Sequence, residues 1–103
     1  MKFPKYFPDD EKFGLTSQMK RSVISISSNI AEGAGRNNPK EFIHFLGISN
    51  GSCLELDSQI NIGFKLGFIK KEAFDSLTEK TNEIGKMIFG LQKSIKSNTY
   101  SRN

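Results

Sequence analysis

The sequence predicts an all-α protein, an up-and-down helical bundle of three long helices forming one domain over residues 1–103. Three observations predict it. Apolar residues return at steps of three and four through three long stretches. Gly, Asn and Pro mark the junctions between those stretches. Strand signals do not compete: there is a single Val, no alternating run, and Asn50-Gly51 lies inside the three-four rhythm.

Met1–Pro8 holds two prolines and three aromatics and reads as extended or irregular. The first helix is expected from about Asp9 to Glu32, entered through Pro8 and the acidic Asp9, Asp10 and Glu11, which suit the positive end of the helix dipole. Leu15, Met19, Val23, Ile26 and Ile30 mark its apolar face. Ser22, Ser25, Ser27 and Ser28 are small enough to let another helix approach closely, and Gly33 is the expected stop. Asn38-Pro39-Lys40-Glu41 then combines a capping residue, a first-turn proline and a capping-box acid. The second helix is expected over Pro39–Leu66, ending before Gly67. Phe42, Leu46, Ser49, Cys53, Leu56, Ile60 and Gly63 form its seam, and Ile43, Phe45, Ile48 and Leu54 widen it. A helix apolar on several sides is central or shared at an interface. The third helix is expected from Lys71, with Ile69 and Phe74 stapling its start. Phe74, Leu77, Thr81, Ile84, Ile88, Leu91 and Ile95 form an unbroken heptad seam, and residues 97–103 read as a polar tail.

Composition bounds function. The hydrophobic share is 36% and the mean hydropathy −0.43. A chain this short buries roughly 60% of its unfolded surface, so its core must be efficient or shared with a partner. One Cys excludes an internal disulfide and fits a reducing compartment. No apolar stretch has the length of a signal peptide or a spanning helix. His44 and Cys53, the single residues of their kinds, cannot build a standard zinc site, and no cofactor is expected. The net charge of +4 is compatible with a nucleic-acid partner.

Several stretches carry a resemblance. Gly14-Leu15-Thr16-Ser17-Gln18, Ser28 to Arg36 (SNIAEGAGR), Lys40 to Leu46 (KEFIHFL), and Gly51-Ser52 with Glu55-Leu56 and Gln59 resemble the bacterial four-helix-bundle proteins first noticed as products of intervening sequences in 23S ribosomal RNA genes. The likeness covers roughly residues 7–96. It implies an up-and-down bundle, a homopentameric ring, a bacterial cytoplasmic location and no catalytic residues. A related member is the accessory protein of diversity-generating retroelements, a basic pentameric barrel that binds a reverse transcriptase and nucleic acid. The chain departs from the family in two ways. Ser27 stands where members often have Pro, and the family's first helix of about five turns has no counterpart in Met1–Tyr6. An open apolar groove filled by a protomer or partner helix is therefore expected; a truncated gene start would give the same sequence.

The residues single out two sets. Lys20, Arg21, Arg36, Lys40, Lys70 and Lys71 are the candidate nucleic-acid contacts, with Lys65, Lys93 and Lys96 as further basic positions. A symmetric ring would multiply them, and since aromatics are not interleaved, contact to backbone phosphates is favoured over base stacking. On a single amphipathic helix the same lysines would form an ordinary solvated face. Asn29, Glu32, Glu41, Glu55 and Gln59, with Arg36, read as a structural polar network fixing helix register. A di-iron arrangement needs two Glu-x-x-His pairs, and Glu41 with His44 is the single such pair. Cys53 falls on the apolar rhythm as an inert buried thiol, and His44 lacks a catalytic partner arrangement. Gly33-Ala34-Gly35-Arg36 follows a helix and lacks the Lys-Ser/Thr of a P-loop. A non-enzymatic assembly or adaptor protein that binds RNA is expected. The alternative is a protein-interaction module with an apolar groove, and the two are separated by salt-dependent RNA binding or a co-purifying partner.

Overall fold

The computed structural model describes residues 7–101, with side chains for 11–98, so the expectations placed on Met1–Tyr6 and on the side chains of Asp9 and Asp10 lie outside the described residues. Three helices account for nearly all of it: α1 (Phe7–Gly35), α2 (Pro39–Lys65) and α3 (Lys71–Ser101). No strand occurs among the described residues. They stack into a rod of 62 × 24 × 20 Å.

Gly33 does not stop α1. The helix continues to Gly35, and the left-handed residue that turns the chain is Asn37, with φ of 59°. Asn tolerates that conformation because its short polar side chain bonds locally. Gly33 serves another purpose: a Cβ there would lie 2.7 Å from Phe45 Cβ and 3.0 Å from Phe42 Cδ1, so its hydrogen is what lets α1 close on α2. Asn38 is extended (φ −143°, ψ 119°) and caps α2 by accepting from the Glu41 N–H at 3.0 Å. The Glu41 carboxylate turns to Arg36 instead.

Leu66 caps the other end of α2, its N–H reaching Ile62 O at 2.9 Å. Gly67 follows with φ of 81°, and the N–H groups of Phe68 and Ile69 return to Gly63 O. Ile69 and Phe74 both pack against the core, and the Phe74 ring stacks on Phe64 with centroids 4.3 Å apart. The polar residues from Ser97 onward, expected as a tail, continue α3 to Ser101; they contain no Gly or Pro to stop it.

The buried core is Ile26 from α1, Leu46, Cys53, Leu56 and Ile60 from α2, and Ile88 from α3. α2 is thus the central helix. α1 and α3 each pack against it and make no close backbone approach to one another. Val23 and Leu91 show the consequence. Both sit on their helix's apolar seam, yet both remain exposed, at 49% and 39%.

Candidate interaction groove and basic residues

Because α1 and α3 are held apart by α2, an open groove of about 880 Å³ runs between them. Leu15, Met19, Val23 and Ile24 form its α1 wall, Leu56 and Ile60 its floor, and Ala73, Leu77 and Ile84 its α3 wall. Ile24 is 62% exposed there. The charged residues that line the groove are Lys12, Lys20, Lys70 and Lys80, all of one sign. None of the four takes part in an ion pair among the described residues. A four-helix bundle fills this position with an amphipathic helix.

The candidate polar network divides into two groups. At the α1–α2 turn, Arg36 Nε donates to Glu32 Oε2 at 3.0 Å and Nη1 to Glu41 Oε1 at 3.3 Å, while the guanidinium lies 5.0 Å from the Phe45 ring centroid. Along the α1–α2 crossing, Ser22 Oγ donates to Gln59 Oε1 at 3.1 Å, and Asn29 Nδ2 donates to the Ser25 carbonyl and hydroxyl. Glu55 is exposed beside a small polar cleft that also holds Arg21 and Gln59. Sequence reasoning missed the main bonding partners, the serines. Ser25 and Ser52 share a hydroxyl contact of 2.7 Å, and fully buried Ser49 donates to Ile26 O at 2.9 Å. The signal was there in Ser22 and Ser25, read for their size, and in Ser49, read as a seam position, none of them for its hydroxyl.

The six basic candidates do not share one surface. Lys20 and Lys70 both line the groove. Arg21 points to the polar cleft, with Nη2 3.5 Å from Ser17 Oγ. Lys71 is held by Asp75 at 2.9 and 3.1 Å. Arg36 is neutralised by its two carboxylates, and Lys40, in the first turn of α2, is exposed. At 1.5 Å per residue, the length of α2 puts this second pair about 40 Å from Lys70.

No group of three metal-ligating side chains occurs among the described residues. His44 is exposed, edge-on to Phe45 at 5.5 Å. Cys53 is buried and its Sγ lies 3.3 Å from Thr81 O. Burial first, and then the negative charge of Asp57, push the thiol's pKa up against a smaller opposing backbone contact from Gly85. Such a thiol is a poor nucleophile. The stretch 33–35 is helical, so it forms no phosphate-cradling loop. No described helix is long and apolar enough to cross a membrane.

The family model of the 23S rRNA-intervening sequence protein matches residues 1–90. Among solved structures, a Bacteroides thetaiotaomicron protein of unknown function from the S23 ribosomal protein family is similar, with a TM-score of 0.73 and 25% identity over 77% of this chain and 73% of that one. No curated protein matches the chain.

Proposed function

This chain belongs to the 23S rRNA-intervening sequence protein family, and from that premise we propose that it is a non-enzymatic interaction module whose groove between α1 and α3 receives an amphipathic helix. One observation carries this: two helices that each pack on α2 without a close backbone approach to one another leave an apolar groove with water-facing Val23 and Ile24. Exposed apolar surface of this extent marks an interaction site. The α3 wall from Ala73 to Ile84 is about 18 Å long at 1.5 Å per residue, enough to seat three to four turns of guest helix. Lysine on both rims selects a guest with acidic flanks.

The test is fluorescence anisotropy with a labelled acidic amphipathic peptide of about four helical turns. Saturable micromolar binding is expected, weakened at least tenfold by Ile24→Lys with Ala73→Lys, both at exposed wall positions. Equal affinity for the wild type and this variant would remove the groove from the account.

RNA binding is a second function that one observation favours, the single-sign lysine lining of the groove. Phosphate contact then falls to Lys20 and Lys70, joined by Lys12 and Lys80, while Arg36 and Lys71 stay with their carboxylates. Four such contacts to single-stranded RNA give a slope of about −2.8 in log K against log salt. Filter binding between 50 and 200 mM salt, concentrations at which such contacts weaken measurably, measures it. Lys20→Glu with Lys70→Glu should abolish retention and Arg36→Glu should not; no retention of wild type at the lower salt counts against RNA.

A further inference from the structure

We infer that the polar cleft between α1 and α2 binds a small zwitterion of the α-amino acid class, its carboxylate held at Arg21 and its ammonium at Glu55. On α1, Gln18, Ser22 and Ser25 recur at steps of four and three, with Arg21 beside them; on α2, Ser52, Glu55 and Gln59 do the same. Such spacing puts each set on one helix face. Two hydrogen bonds tie the faces together: Ser22 Oγ donates to Gln59 Oε1 at 3.1 Å, and the Ser25 and Ser52 hydroxyls lie 2.7 Å apart. These side chains line a cavity of about 390 Å³, a size that suits a small ligand. None of its lining residues also lines the groove between α1 and α3, so this is a separate site.

The two bonds leave hydrogen-bond donors over. Gln59 uses Oε1 on Ser22, and its Nε2 has no partner among the described residues. A single hydrogen lies between the Ser25 and Ser52 oxygens, so one hydroxyl of the pair keeps its own to give. The Arg21 guanidinium has five N–H groups and reaches one acceptor among the described residues, Ser17 Oγ at 3.5 Å. Two helices thus contribute unpaired donors to one small cleft, the complement of a carboxylate.

The cleft also holds one acid. Glu55 and Arg21 line it together, yet neither takes part in an ion pair among the described residues. Both are exposed, so a direct pair between them would be weak, and each stays open to a ligand at little cost. Glu55 repels a simple anion and Arg21 a simple cation, whereas a molecule carrying both charges satisfies both. No apolar side chain lines the cleft. A hydrophobic ligand side chain would take water from the polar lining without replacing its hydrogen bonds, so small polar amino acids are favoured over leucine.

The experiment is a proton–nitrogen NMR titration of the full chain with L-serine, following the Gln59 side-chain amide and the backbone amides of Ser25 and Ser52. Saturable shifts are expected, with a Kd of about 1 mM or below. Glycolate lacks the ammonium and ethanolamine lacks the carboxylate; each should bind at least about tenfold more weakly than L-serine. Arg21→Gln and Glu55→Gln, at exposed positions and checked for helix content by circular dichroism, should each weaken L-serine by at least about tenfold. For glycolate the two variants should part: Arg21→Gln weakens it further, and Glu55→Gln does not. No saturable shift with L-serine overturns the inference, and so does L-serine binding that Arg21→Gln leaves unaltered. Glycolate binding as tightly as L-serine overturns it too, because the cleft then takes any carboxylate and Glu55 has no part in it.

Discussion

Replacing Gly33 by Ala adds one methyl where two helices meet. Its Cβ would sit 2.7 Å from Phe45 Cβ, an atom fixed to the α2 backbone, and 3.0 Å from Phe42 Cδ1. Neither rotamer change nor a small side-chain shift relieves the first contact, so α1 and α2 must part. Overpacking of this kind costs about 1–3 kcal/mol, here toward the upper end. Ala gains about 1 kcal/mol over Gly in a helix interior. The net loss is then about 1–2 kcal/mol, a fall of roughly 5–15 °C in Tm for a domain of this size. Two other glycines calibrate it. Gly90 has open space around it, so Gly90→Ala should gain about 1 kcal/mol. Gly63 meets Ile69 Cδ1 at 2.6 Å and Leu15 Cδ2 at 3.1 Å, the ends of flexible side chains, so Gly63→Ala should fall between the two. Urea unfolding followed at 222 nm, at one protein concentration for all variants, gives the order. If Gly33→Ala were as stabilising as Gly90→Ala, close helix approach at Gly33 would not be what holds the α1–α2 crossing.

Other expectations are equally direct. Ser49→Ala should cost about 1 kcal/mol in urea unfolding, from the lost bond to Ile26 O, and Ser49→Val more, because the site is fully buried. Asn38→Ala removes the cap on Glu41 N and should cost about 1 kcal/mol by the same assay. Arg36→Ala should cost less than about 1 kcal/mol, and the loss should shrink in high salt, because both ion pairs are half exposed. For Cys53 the folded chain holds its proton to higher pH than the unfolded chain does. Its contribution to stability is therefore full below the ordinary value of 9.0 and falls as pH rises above it. Cys53→Ala should lose that part of the pH slope, and the wild-type thiol should react slowly with a disulfide reagent until the chain unfolds.

The three-four rhythm made the helices and their partners legible, and Asn38-Pro39 fixed the start of α2 to the residue. Gly33 was misplaced because the same residue both ends helices and permits close packing, and local sequence does not say which. The turn instead uses Asn37, whose left-handed geometry leaves no helical pattern to read. Val23 and Leu91 keep perfect seam spacing while remaining exposed, since periodicity reports a face and not what covers it. The basic candidates were chosen by charge and by the family resemblance, neither of which says where side chains meet. Their separation into Lys20/Lys70 and Arg36/Lys40 follows from the antiparallel course of α1 and α2, and the neutralisation of Arg36 needs Glu32 and Glu41 brought together by the turn.

The central position of α2 also sets a hierarchy of opening. α1 can detach by giving up chiefly its packing on α2, and so can α3, but α2 cannot lose its structure without releasing both. Amides of α2 around Leu46–Ile60 should therefore exchange with solvent at the rate of global unfolding, while those of α1 and α3 exchange through separate, lower-energy partial openings. Whatever occupies the space between the two outer helices would act first on those partial openings. It would slow exchange in α1 and α3 together, tying two independently fluctuating segments into a single cooperative unit.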